Sequence, residues 1–290
     1  MNDAIFMAFD DRHWVYAQAC LRSLIMNYPN YPSLLIFYNG HDHEKKDWLL
    51  SIQRATIYHN YPLPKCIENP IFHKDVNSEM VYYKYLLWTD MFRNYNNILH
   101  LDVDTIILSP LDDIFKSENF FIIRNNLYFK EIKILSILNK KVKKILSNLD
   151  ICLPTRKDMV NAGVFVIPRK YRSDRLKTSL IMITNMLKPY LKYADQSAIS
   201  LWCMRHVIIP TESYEYNYQV PLYNKVFIPR YKKELSPGFY FTLNKNLMDN
   251  IKIIHYSGQH KHISDKFMKW RLMGRYSKLF LNILNKYKKE

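Results

Sequence analysis

The alternation of segment types that begins at the first residues constrains this fold most. Residues 4–9 are an unbroken apolar run stopped by Asp10 and Asp11, which reads as a short strand buried on both faces. Residues 14–28 then carry Val15, Ala19, Leu21, Leu24 and Ile25 at helical spacing, and Pro29 and Pro32 end the helix. Residues 33–38 read as a second strand, 44–55 as a helix and 56–58 as a third strand. Residues 79–92 read as a helix, with Val81, Tyr85, Leu86, Trp88 and Thr89 on neighbouring faces. Residues 97–101 form a strand that ends in Asp102-Val103-Asp104, and β-rich sequence resumes over 105–108. Strand and helix alternating from the first residues on specify an α/β fold: an open, mainly parallel sheet flanked by helices. No internal repeat and no Pro-, Gly- or Ser-rich linker divides the chain.

Composition narrows the chemistry. Five glycines in 290 residues exclude a collagen-like chain, and neither a GxGxxG nor a GxxxxGK[ST] phosphate loop occurs. Cys20, Cys66, Cys152 and Cys203 are widely spaced without a CxxC pair, so no zinc ribbon, redox motif or disulfide framework is indicated and a reducing compartment is expected. The N-terminal residues lack the basic and long apolar regions of a signal peptide. No apolar stretch approaches the ~20 residues of a membrane-spanning helix. The expected location is therefore cytoplasmic, in solution or on a membrane surface. The formal charge of +16 favours polyanionic partners: nucleic acid, anionic lipid or phosphate-bearing small molecules.

The strongest chemical signal is His100-Leu101-Asp102-Val103-Asp104-Thr105. Extended residues i and i+2 share a face, so both carboxylates can reach one hard cation. The carboxyl end of a strand in an open α/β sheet is where ligands bind. The bland alternative is a strand end with two solvated acids. Asp102-Val103-Asp104-Thr105 also fits the first motif of haloacid-dehalogenase-like phosphatases. That motif belongs near a domain start with a later Gly-Asp pair. Here about a hundred residues of α/β sequence precede it, and no Gly-Asp occurs. Four further elements stand beside it. Ala8-Phe9-Asp10 closes the first strand, and Asn161-Ala162-Gly163 precedes a buried strand. Asp195-Gln196 lies among apolar residues, where Asp195 also suits the N-cap of a helix over 196–204. His255-Tyr256-Ser257-Gly258-Gln259-His260-Lys261 follows the strand-like residues 251–254.

In this order and spacing the chain resembles glycosyltransferase family eight, over nearly its whole length. The resemblance implies a GT-A fold, with residues 1–262 as the catalytic domain. It also implies a nucleotide-sugar donor (usually a UDP-sugar), a divalent cation (Mn²⁺, or Mg²⁺) and hexosyl transfer with retention of anomeric configuration. Carried over residue by residue, it makes Asp102, Asp104 and His255 the metal ligands. Ala8, Asp10, Val103, Gly258 and Lys261 fall at the donor, with Asp10 on the base and Gly258 and Lys261 on the diphosphate. Asn161, Asp195 and Gln196 line the sugar pocket as the catalytic set. Lys84, also placed with the donor-binding residues, falls where relatives usually carry an arginine on the helix before the metal motif; it keeps the charge but loses the bidentate fork. Two departures stand out: His262-Ile263 replaces the usual Pro-Trp after the final lysine, and Ser197 replaces an acid that often follows Asp-Gln.

A nucleic-acid-binding protein is the competing class, but no RNP-type run or zinc-finger spacing supports it. A catalytically inactive sugar-binding relative is opposed by the intact Asp102, Asp104 and His255. Two segments hold most of the excess charge. Residues 127–149 carry six lysines against one glutamate, which suggests a basic insertion or flap over an anionic donor or acceptor. Residues 261–290 carry nine basic residues against two acidic. Within them Leu272, Tyr276, Leu279, Phe280, Ile283, Leu284 and Tyr287 recur at helical spacing. Residues 263–290 therefore read as a basic amphipathic helix, either closing the domain or lying on anionic lipid, and the lipid reading fits a glycan or lipid-linked acceptor displayed on the cytoplasmic face. Each basic residue near an anionic surface contributes about 1 kcal/mol. Full-length protein is expected to co-sediment with anionic but not neutral vesicles, less so at high salt, and a chain ending near Ser264 is expected to lose that binding.

Overall fold

A computed structural model describes residues 2–63, 79–124, 140–191, 194–211, 215–219 and 250–255. Residues 127–139 of the basic segment, Gly258, Lys261 and the helix expected over 263–290 lie outside them. The strands are β1 (Asn2–Asp10), β2 (Ser33–Asn39), β3 (Ala55–His59), β4 (Tyr95–Leu101), β5 (Thr105–Ile107), β6 (Phe121–Arg124), β7 (Val160–Pro168), β8 (Tyr218–Gln219) and β9 (Ile253–His255). The α-helices are α1 (Trp14–Asn27), α2 (His43–Leu50), α3 (Lys140–Asn148), α4 (Asp174–Leu187) and α5 (Ala194–Arg205). Among the described residues no helix is long and apolar enough to cross a membrane.

The chain divides into two compact units. The first draws its described residues from 1–12, 32–102 and 112–213, and the second from 13–31, 103–111 and 214–290. The first unit is built on a six-stranded sheet ordered β3-β2-β1-β4-β7-β6. β1 pairs in parallel with β2 and β4, and β2 with β3; β4–β7 and β6–β7 are antiparallel. The central strands are the apolar runs: Ala4–Met7 of β1 and all nine residues of β7 are buried. Aromatic rings fill the layer beside the sheet. Trp88 meets Trp202 edge-on at 5.3 Å, Phe120 stacks on Phe165 at 5.6 Å, and Phe37 stacks on Tyr58 at 4.4 Å. Within α3, Val142 and Leu146 enter the core while Lys140, Lys141, Lys143 and Lys144 are exposed.

Three local expectations are corrected. The helix expected over 79–92 is a 3-10 helix over Glu79–Trp88 followed by a separate turn at Asp90–Phe92. Thr89 makes the break: it is extended, and its hydroxyl donates to Leu86 O and accepts from Met91 N. Met80 and every residue from Tyr82 to Trp88 are buried, so packing on all faces, not a 3.6-residue stripe, holds this segment. The helix expected over 44–55 stops at Leu50, and the chain turns through Arg54 at φ 59 before β3. Asn161 lies inside β7, not ahead of it, because the strand opens at Val160, whose N–H donates to Ser200 Oγ.

The second unit sets α1 against a three-stranded sheet ordered β5-β9-β8. Ala17, Cys20, Leu21 and Leu24 form the buried stripe of α1. Ser23 Oγ accepts from Ile107 N at 3.0 Å, Asn27 Nδ2 donates to Ile107 O at 2.8 Å, and Cys20 Sγ lies 3.2 Å from Thr105 Oγ1. These contacts satisfy the outer edge of β5 without another strand.

Arg172, 5% exposed, ties the segment after β7 to the turn that leads into β4. Its Nη1 donates to Phe92 O at 2.7 Å, and its Nη2 donates to Asn96 O at 2.7 Å and to Tyr95 O. One fork thereby satisfies three carbonyls at the entry to β4. Arg172→Met should lower unfolding stability by about 2–4 kcal/mol. Arg172→Lys should recover less than half, because one ammonium lacks the planar spread of donors; urea unfolding followed by circular dichroism checks both.

Candidate active site

The sheet register brings the expected residues of the first unit to one edge. β1 and β4 run parallel, with Phe6 opposite His100, so Ala8 and Asp10 end β1 at the edge where Asp102 follows β4. β7 runs the other way, with Val164 opposite Leu101, so its start, Asn161 to Gly163, reaches the same edge. Asp102 N donates to Gly163 O at 2.7 Å, and Asn161 Oδ1 accepts from Gly163 N at 3.0 Å. Asp195 and Gln196 arrive from the first turn of α5. The helix opens at Ala194, so Asp195 lies within it and is not its N-cap.

Lys84 joins these pieces. It comes from the buried 3-10 helix and is 3% exposed. Its Nζ lies 2.8 Å from Asp195 Oδ2, 3.2 Å from Asp102 Oδ1 and 3.2 Å from Ala162 O. Ala162 N in turn donates to Gln196 Oε1 at 3.4 Å. Burial works against the ammonium, but the carboxylates of Asp102 and Asp195 outweigh it and hold Lys84 above its usual range. Burial pushes the Asp195 carboxyl above the ordinary carboxylate range, and Lys84 pulls the other way. His100 adds a second donor to Asp102: its Nε2 lies 3.0 Å from the same Oδ1.

At the end of β1, Asp10 is grasped by Arg12 through its backbone N–H at 3.1 Å, Nε at 3.1 Å and Nη2 at 2.6 Å. Asp11 turns toward the neighbouring strand. It accepts from Tyr38 Oη at 2.6 Å, His41 N at 2.9 Å and Lys45 Nζ at 2.9 Å. Partial burial raises its carboxyl, but these three donors outweigh that and bring it down to about 2.

In the second unit the pairing of Thr105 with His255 sets Asp104 beside His255, with Nε2 3.3 Å from Oδ1. His255 Nδ1 lies 3.0 Å from Asn217 Oδ1. Asp104 and His255 are almost fully buried. Asp102 stands two residues before Asp104, so the chain itself keeps the carboxylates close. Asp102, Asp104 and His255 each offer one ligand atom, all within 4.8 Å of one another. Two carboxylates and an imidazole are a donor set that fits a divalent cation of the Mn²⁺ or Mg²⁺ kind.

Sequence reading assigned no role to His100 or Asn217. His100 had a signal, since it stands two residues before Asp102 and shares its face in an extended chain. Asn217 had none: it lies 38 residues from its partner.

Set beside solved structures, the fold is that of GT-A glycosyltransferases. The galactosyltransferase LgtC, solved with donor and acceptor sugar analogs, matches with a TM-score of 0.63 at 14% identity, over 98% of this chain and 95% of its own. Glycosyltransferase GlyE of Streptococcus pneumoniae TIGR4 matches with a TM-score of 0.55 at 17% identity, over 99% of this chain and 64% of its own. Mouse xyloside xylosyltransferase 1 matches with a TM-score of 0.51 at 11% identity, over 90% of this chain and all of its own. A sequence comparison with curated proteins returns no match. The profile of glycosyl transferase family 8 matches residues 4–262. The chain belongs to that family and is a glycosyltransferase.

The Lys84 bridge yields a double-mutant test. Lys84→Met should cost about 3–5 kcal/mol of stability, because it leaves carboxylates without their buried cation. Adding Asp195→Asn should return part of that loss. A coupling energy of at least ~1 kcal/mol, from urea unfolding of the four proteins, is the expected result.

Proposed function

We infer that this glycosyltransferase moves a hexose from a nucleotide-sugar donor, a UDP-sugar, to a glycan or lipid-linked acceptor, with retention and with a divalent cation. The observation that carries the reading is the convergence of Asp102, Asp104 and His255. These three would hold the ion, Mn²⁺ or Mg²⁺. When bound, it supplies positive charge against the diphosphate leaving group.

The protein's own groups do the rest. Ala8, Asp10 and Val103 are assigned to the donor, and Gly258 and Lys261 to its diphosphate. Lys84 keeps Asp102 and Asp195 placed; all three of its N–H donors have protein acceptors within 3.2 Å. Asn161, Asp195 and Gln196 orient the sugar and favour its oxocarbenium-like state. An amide oxygen such as that of Gln196 is a weak nucleophile, which supports retention by attack on the face the diphosphate leaves. LgtC has been solved with an active-site glutamine changed to glutamate, which supports a glutamine in this role. The basic residues of 261–290 fit an acceptor presented at the anionic cytoplasmic face of a membrane.

Asp104→Asn is the direct test, because the amide keeps the volume and removes the charged ligand. Mn²⁺-dependent hydrolysis of UDP-sugars should fall by on the order of 10²-fold or more, with the far-ultraviolet circular dichroism unchanged. Near-normal turnover in that variant would remove the metal assignment.

A further inference from the structure

We propose that His100 is a positioning residue for the metal site: it fixes the Asp102 carboxylate in its ligating orientation without being a ligand itself. The inference rests on the metal reading above. His100 is 2% exposed. Its ring is held between Phe165 at 4.9 Å and Phe6 at 5.8 Å, so the imidazole has little room to turn. Nε2 lies 3.0 Å from Asp102 Oδ1, and Lys84 Nζ reaches the same oxygen at 3.2 Å. The backbone of Asp102 is fixed independently, through its N–H to Gly163 O at 2.7 Å.

Two donors on one oxygen, one from β4 and one from the buried 3-10 helix, restrict rotation of the carboxylate. A carboxylate anchored through one oxygen presents the other in a fixed direction, and outer partners of this kind tune both orientation and affinity of a metal ligand. The aromatic surroundings do not require a histidine. A phenylalanine would fill the same slot between Phe6 and Phe165, so the polar ring is placed there for its nitrogen. Asp102 has 35% of its side chain exposed. Water can replace the lost donor without a large penalty to folding, which separates positioning from stability.

The test titrates Mn²⁺ into metal-free protein, with and without UDP, and reads free Mn²⁺ by electron paramagnetic resonance. Urea unfolding is run on the same samples. His100→Phe should unfold at or above the wild-type midpoint yet bind Mn²⁺ about ten- to a hundredfold more weakly. His100→Gln, whose side-chain amide can donate to Oδ1, should stay within about threefold of wild type. Unchanged Mn²⁺ affinity in folded His100→Phe overturns the proposal, as does an equal loss in His100→Gln. If His100→Phe does not fold, His100→Met replaces it: weaker binding than His100→Gln supports the proposal, and equal binding overturns it. Wild-type protein that binds no Mn²⁺ in either condition overturns the metal reading itself, a result distinct from a wild type that binds and a His100→Phe that binds equally well.

Discussion

The site depends on one buried ammonium. Lys84 lies almost out of solvent, with two carboxylates and a carbonyl within 3.2 Å of its Nζ. A lysine ammonium has three N–H donors, and here each has an acceptor. Asp102 follows β4, Ala162 belongs to β7 and Asp195 to α5, so one side chain ties three elements at a single sheet edge. Burying the charge alone would be strongly unfavourable. Two opposite charges at hydrogen-bond distance offset that cost, and removing either side leaves the other stranded. The planar guanidinium of an arginine has five donors in a wider fork. It does not fit three acceptors gathered around one point in a packed interior without moving them. Lysine at position 84 is matched to this cage, and its contacts hold Asp102 and Asp195 in place.

Much of the fold was legible because the first unit is layered simply. The apolar run over 4–9 gave β1, the run over 33–38 gave β2, and the acids that stop β1 and β4 marked the edge where the candidate residues gather. Segments buried on every side were harder. Glu79–Trp88 offers no polar stripe, so periodicity could not distinguish an α-helix from the tighter 3-10 form, and the break at Thr89 depends on hydroxyl contacts that spacing does not encode. Asp195 looked like a cap because aspartate suits that place. Its carboxylate is instead committed to Lys84, and the helix begins one residue earlier. His100 was readable in principle from the two-residue period of a strand. Asn217 was not, because its link to His255 is set by strand pairing across 38 residues.

Strand pairing is also what places the histidine of the second unit. Side chains in a strand alternate faces, so slipping β9 by one residue against β5 would turn His255 away from Asp104. β5 is only three residues long and forms the edge of its sheet, and so short a strand has few ladder bonds of its own to resist slippage. α1 supplies the missing constraint. Ser23 and Asn27 occupy the N–H and the carbonyl of Ile107, and Cys20 meets the hydroxyl of Thr105. With β5 held along its outer edge, the pairing of Thr105 with His255 sets Asp104 Oδ1 3.3 Å from Nε2. Asn217 Oδ1, 3.0 Å from Nδ1, favours a proton on that nitrogen and so leaves the lone pair on Nε2. The fitness of one imidazole for a cation thus traces back through a strand register to three small polar side chains on a helix more than two hundred residues earlier in the chain.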